Sequence, residues 1–167
     1  TKEDAVHGDL TCKSVTDPIF AAAKVGWLRR GFSGCPCESF TVLRFNPPRP
    51  GQKECPPLRF RSWLPGWPPL PDGWDDYMAM HEGFVELTFA VGDAILEWPD
   101  GRYGVEGPID RADEAGRPRF YRKKWAEHVP LEQHPRARKF IGKHGARCVD
   151  ICQCMSAGPF QKATTLI

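Results

Sequence analysis

Nine prolines fall between Pro47 and Pro71, at 47, 48, 50, 56, 57, 65, 68, 69 and 71. Each removes a backbone donor and fixes φ, so neither an interior helix nor a central strand crosses most of this stretch. An extended, polyproline II conformation is expected instead. The same stretch carries Leu58, Phe60, Trp63, Leu64, Trp67 and Leu70. A free linker does not leave that much apolar surface in water, so a wrap packed over a neighbouring domain is expected.

The run divides the 167 residues into four regions: an N-terminal extension (1–46), the Pro/Trp-rich segment (47–73), a central region (74–130) and a basic C-terminal extension (131–167). In the first, "TDPIFAAAKVGWLRRG" has helix punctuation. Asp17 can cap, Pro18 suits the first helical position, and Arg29, Arg30 and Gly31 suit the end. "ESFTVLRF" (38–45) has apolar residues on both alternating faces, the pattern of a strand buried on two sides. In the fourth, "HPRARKFIGKHG" predicts a basic helix over 135–143 ended by Gly145, and "RCVDICQC" predicts a strand.

The central region carries the main fold expectation. "VELTFAVG" alternates, "DAILEW" continues it, "PDG" (99–101) is a turn by composition, and "RYGVEG" follows as a short strand. Turns are expected at Gly92 and Gly101. Three short strands with tight turns predict a small antiparallel barrel in a mainly β, α+β chain, with the N-terminal helix and the Pro-rich wrap around it.

That region resembles an SH3 domain. "DDYMAM" precedes "ELTFAVGDAI" at the distance separating that family's Ala-Leu-Tyr-Asp-Tyr-like strand from its Glu-Leu-Ser-Phe-like stretch. "FYRKKWAEHV" resembles the family's closing strand. The resemblance implies a ligand groove with Tyr77 as a contacting aromatic, Glu86, Asp93 and Glu97 as its acidic side, and Trp125 in a closing Tyr position. Tyr103 is the aromatic nearest the groove Trp, and Arg122 stands where the groove Pro would be. Such a groove binds polyproline II, so "PGWP" (65–68), "PPLP" (68–71) and "PPRP" (47–50) become ligands in cis. The Tudor or agenet type of barrel is a second resemblance, carried by "VGDAILEWPDGRYGVEG" and "GRPRFY". It implies an aromatic cage of Trp98, Tyr103, Phe120 and Tyr121 for a methylated cation, against the alternative that these rings fill a core.

Net charge is +2, but the acids and bases are segregated. From Asp72 to Glu114 twelve acids stand against Arg102 and Arg111, a local −10; from Arg117 to Arg147 ten bases stand against Glu127 and Glu132, a local +8. The blocks either face each other or serve partners. The basic block is interleaved with Phe120, Tyr121, Trp125 and Phe140, the composition of a nucleic-acid surface.

Seven cysteines are an odd number for a disulfide framework. Cys35 and Cys37 (C-P-C) would form a composite zinc site with Cys152 and Cys154 (C-Q-C) if the two pairs approach each other; disulfides tying the N-terminal region to the C-terminal strand and buried free thiols are the alternatives. An intracellular or organellar setting is favoured, with a secreted one open. A start at Thr1 fits a removed leader or a start inside a longer protein. No run of eighteen apolar residues exists, so no membrane span is expected. No nucleophile elbow, phosphate loop or zinc-protease motif is present. The expected role is non-catalytic: a protein-interaction module or an accessory subunit of a larger assembly, with a cage-type peptide reader or a nucleic-acid binder as alternatives.

Overall fold

The structure, a computed structural model, describes residues 10–35, 37–46, 50, 56–64, 68–153 and 162–167. Among them are three helices, α1 (Lys13–Lys24), α2 (Trp74–Leu96) and α3 (Pro135–His144), and four strands, β1 (Arg30–Gly34), β2 (Arg102–Pro108), β3 (Val149–Gln153) and β4 (Lys162–Leu166). The fold is α+β, with an open mixed sheet in the order β1-β2-β4-β3.

The barrel expected over 74–130 does not form. The span Trp74–Leu96 that opens it is one 23-residue helix. Gly92 lies inside that helix, not at a turn. The alternation in "VELTFAVG" is local, whereas a helical stripe persists through His81, Val85, Thr88, Gly92 and Ile95, all buried. Gly73, at φ 85°, starts the helix after Pro71, and Asp75 and Asp76 in the first turn complement its dipole. Gly92 serves close packing. A Cβ there would sit 2.5 Å from Tyr103 Cδ1 and 3.0 Å from Phe140 Cε2.

The turn at Pro99–Gly101 does form and feeds β2; it requires glycine at 101, where a Cβ would collide with the Ile95 carbonyl. Strands β1 and β2 are parallel, in the register Arg30↔Arg102 to Gly34↔Glu106. Parallel neighbours need a crossover, and α2 supplies it. Strand β4 then pairs antiparallel with both β2 and β3.

Other expectations shift by smaller amounts. Helix α1 begins at Lys13, so Pro18 lies inside it. Gly31 follows no helix; it belongs to β1. "ESFTVLRF" is two 3-10 turns, Cys37–Phe40 and Val42–Phe45, in place of a strand. Helix α3 forms as expected and ends at Gly145 in the left-handed region, φ 60°. The described part of the Pro-rich segment does pack on the domain. Leu58 and Arg59 are buried, and the Arg61 N–H donates to Glu127 O at 3.2 Å.

The core lies between the sheet and the α2/α3 pair. It contains Val85 and Phe89 of α2, Val105 of β2, Leu131, and Ala137 and Phe140 of α3, with Phe40 and Cys35 closing one end. Phe89 and Phe140 pack with ring centroids 5.1 Å apart. A second, smaller cluster joins Ala23 of α1 to Val91, Ala94 and Ile95. Burying Phe89 completely contributes about 2 to 3 kcal/mol of transfer free energy.

Candidate functional site

The acidic and basic blocks face one another. Asp93 on α2 takes Arg136 Nη2 at 2.6 Å, Lys143 Nζ at 3.0 Å and His144 Nε2 at 2.6 Å, all from α3. Glu86 takes Arg136 Nε at 3.1 Å. Burial works to raise Asp93, but the hydrogen bonds from His144, Lys143 and Arg136 outweigh it and hold the carboxyl at about 2. Glu82 bridges two elements. Its Oε1 accepts from Arg59 Nη2 at 2.5 Å and its Oε2 from His134 Nε2 at 3.0 Å. Because His134 Nδ1 accepts the Arg136 N–H, the proton on this ring sits on Nε2. Burial again pushes upward, and His134 and Arg59 bring Glu82 down to about 2. An open cleft of about 640 Å³ lies between these groups, lined by both signs of charge. Glu82, Glu86 and Asp93 are each paired there with a base of the same chain.

A second polar cluster lies under the sheet. Arg117 meets Asp150 at 2.6 Å, Glu132 at 3.0 Å and Asp110 at 3.8 Å. Asp110 also pairs with Arg61. The buried His128 accepts the Arg111 N–H on Nδ1 and donates from Nε2 to Phe40 O at 2.7 Å, which fixes its neutral tautomer. Glu132 is 6% exposed. Arg117 is close to it in the Coulombic sense, but neither carboxyl oxygen makes an aligned hydrogen bond. Burial therefore dominates and pushes this carboxyl up to about 7.

The residues expected to line a groove do not converge. Tyr77, Glu86 and Asp93 are strung along α2, so Tyr77 and Asp93 lie about 24 Å apart at 1.5 Å per residue. Tyr77 donates to Glu38, and burial together with that carboxylate pushes its hydroxyl up to about 12. Glu97 caps the C-terminus of α2 and is exposed. Trp98 donates from Nε1 to Ala23 O at 3.1 Å and lies under Arg29. Tyr103 is inserted beneath the helices and donates to Thr88 O at 2.9 Å. Trp125 sits in the 3-10 turn Lys123–Trp125, with Arg111 and Lys124 over its ring.

No cage forms from Trp98, Tyr103, Phe120 and Tyr121; the Tyr103 ring packs against Phe140 in the core, and Phe120 lies with Arg111 and Arg119. With no barrel, the cis-ligand arrangement has no groove to occupy, and "PPRP" over 47–49 and "PGWP" over 65–67 lie outside the described residues. Of the zinc set, Cys35 is buried and forms no disulfide; the side chains of Cys37 and Cys152 and all of Cys154 lie outside the described residues. Among the described residues no group of three or more metal-ligating side chains occurs. Cys12 and Cys148 are free thiols. In the basic block, Arg117, Arg136 and Lys143 are committed to carboxylates of the same chain.

What the sequence reading missed is the outer side of β1. Arg29 O accepts from Arg102 N–H at 2.9 Å. In a parallel ladder alternate residues make both bonds, so Gly31 and Ser33 face β2 while Arg30, Phe32 and Gly34 direct their N–H and C=O away from it. Among the described residues no strand pairs with that edge. On the sheet face away from α2 and α3, Phe32 lies over Gly104, where a Cβ would meet its ring at 3.0 Å, and is 64% exposed. Trp27, just before the strand, is 87% exposed, and Val25 is 57% exposed. Pro18, Ala21, Ala22, Val25 and Trp27 line an apolar groove of about 440 Å³ on α1. The alternation of Arg30 and Phe32 against Gly31 and Ser33 is a strand signal, hidden because "LRRG" also reads as a helix ending.

Compared with known proteins, the chain matches no family model, no curated protein and no solved structure. No helix among the described residues is long and apolar enough to cross a membrane.

Proposed function

We propose that this chain is a partner-binding subunit whose sheet is completed by another polypeptide at the β1 edge. The observation carrying this reading is the pairing of a parallel-strand edge that no described residue completes with large exposed apolar side chains beside it. A parallel βαβ unit ordinarily sits inside a sheet covered on both faces. Here α2 and α3 cover one face, while Phe32 on β1 and Val149 on β3 are more than half exposed. An unpaired edge of this kind templates a further strand. The charged cleft between α2 and α3, by contrast, is satisfied within the chain, and its ion pairs hold the two helices together.

Photo-crosslinking tests the reading. A benzophenone side chain at Trp27 is expected to capture one protein in the native source, and capture is expected to fall when Phe32→Glu is added. The same probe at Glu114 is expected to give only diffuse products. Equal, diffuse labelling from both positions would overturn the assignment.

A further inference from the structure

The chemistry around β1 specifies what kind of strand completes the sheet. Arg30 and Arg102 are directly paired in the parallel register, so both side chains rise from the same sheet face. Like charges placed opposite each other across a ladder destabilise it. Among the described residues neither guanidinium lies within ion-pair distance of a carboxylate; Arg102 Nη1 donates to the neighbouring Gly101 O at 2.7 Å and reaches Asp100, two residues before it, only through longer-range Coulombic attraction. The acid on the same face of β2 is Glu106, four residues along and about 13 Å away at roughly 3.3 Å per residue. Arg29, by contrast, is already bound to Asp100 at 2.6 Å.

The two guanidiniums and Phe32 line a shallow cleft of about 480 Å³ together with Gly31, Tyr103 and Gly104. Its floor is low because Gly104 carries no side chain. The cleft thus offers, in order along the strand, two cations and then an exposed aromatic ring, next to a row of backbone donors and acceptors that no strand among the described residues pairs.

We propose that the occupant is an extended segment of a partner protein that adds to β1 as a strand, sets an Asp or Glu against Arg30 and Arg102, and lays an apolar side chain on Phe32. This rests on the partner-binding reading above and names the partner's chemistry. Strand addition takes its affinity from main-chain hydrogen bonds and its selectivity from alternate side chains. A carboxylate placed between Arg30 and Arg102 removes their repulsion and gains two charge-assisted bonds. The N–H and C=O groups of Arg30, Phe32 and Gly34, which no strand among the described residues pairs, are spaced for a polypeptide and have no counterpart in a nucleic acid strand.

Fluorescence anisotropy with four labelled probes tests this. The first is a ten-residue peptide alternating Val or Ile with Glu. The second replaces Glu by Lys. The third carries the acidic sequence with alternate amides N-methylated, so that it cannot extend a ladder. The fourth is a ten-nucleotide single strand. The acidic peptide is expected to bind saturably, at least about tenfold tighter than the Lys peptide. N-methylation is expected to abolish binding, and Arg30→Glu with Arg102→Glu is expected to invert the charge preference. Circular dichroism of that double variant establishes that it is folded.

Equal binding of the N-methylated peptide would overturn strand addition. Tighter binding of the oligonucleotide would assign the cleft to nucleic acid, and concentration-dependent self-association lost in Phe32→Glu would assign it to a second copy. Specific crosslinking from Trp27 combined with no binding of the acidic peptide would reject this inference alone. Loss of the crosslink would reject the partner-binding reading itself.

Discussion

Replacing Glu132 by Gln is expected to stabilise the protein above neutral pH and to change it little in acid. The reason is the placement of this carboxyl between Arg117 and the floor of the sheet, 6% exposed, with both oxygens lacking an aligned donor. Burial raises it from 4.5 to about 7, against the pull of its own backbone amide and of Arg117, while Asp110 and Asp150 add to the rise. The unfolded chain therefore releases this proton near 4.5 and the folded chain only near 7. Between those values the folded state holds more protons, so the contribution of Glu132 to stability falls as pH rises through the window. Integrated to pH 8, the ionised carboxylate costs about 3 kcal/mol. Gln is close to the protonated acid in shape and retains an oxygen for Arg117. Urea unfolding of both proteins should show the variant more stable by about 3 kcal/mol at pH 8 and by less than about 1 kcal/mol at pH 5. In thermal melts the difference at pH 8 corresponds to between about 6 and 12 °C for a chain of this size. A variant no more stable than the parent at pH 8 would show that Arg117 and water satisfy the ionised group, and the argument from burial would fail.

Four further outcomes follow from the packing and the charges. Asp93→Asn should destabilise the fold by about 1 to 2 kcal/mol at neutral pH, a figure discounted because the side chain is 21% exposed. Since its carboxyl is held at about 2, the parent should keep this contribution above about pH 4 and lose it as pH falls toward 2, whereas the Asn variant should lack that component of the acid limb; unfolding followed against pH checks both. Gly92→Ala should cost about 1 to 3 kcal/mol, because the added methyl meets the Tyr103 and Phe140 rings inside a packed helix–sheet interface; urea unfolding with an unchanged midpoint would contradict that contact. Phe89→Ala should cost about 3 to 5 kcal/mol, as complete truncations of buried phenylalanines do, and should be read by the same titration. Trp27→Glu should leave stability within about 0.5 kcal/mol, since the ring is 87% exposed and belongs to no core cluster; a large loss in the melt would mean that it packs against the chain.

Local chemistry made some elements legible in the sequence. The helix from Pro135 to His144 carries a proline at its start and a left-handed glycine at its end, both of which act within one turn. The turn before β2 and the strand itself are likewise short-range features. The charge blocks were legible as well, because a −10 and a +8 segment in one chain attract, and α2 and α3 realise that attraction through Asp93. Helix α2 was misread because a window of eight residues around Thr88 satisfies both periods. Only the longer run from His81 to Ile95 distinguishes them, and it contains a glycine whose purpose, room for Tyr103, lies in a later strand. The buried networks were out of reach for a related reason. Glu82 joins residues 23 positions before it and 52 after it, so nothing near "HEGFVE" announces Arg59 or His134. The β1 edge was missed because four residues, "LRRG", satisfy a helix ending as well as a strand start.

Amide hydrogen exchange reads the outer side of β1, which no described strand pairs, residue by residue. In the protein alone, Gly31 and Ser33 are expected to exchange slowly because their amides bond to β2, while Phe32 and Gly34 exchange fast. Saturation with the acidic strand peptide is expected to slow Phe32 and Gly34 and to leave Gly31 and Ser33 unchanged. A Phe32 amide already protected in the free protein, or one that stays fast with the peptide bound, would contradict an open edge that a partner strand completes.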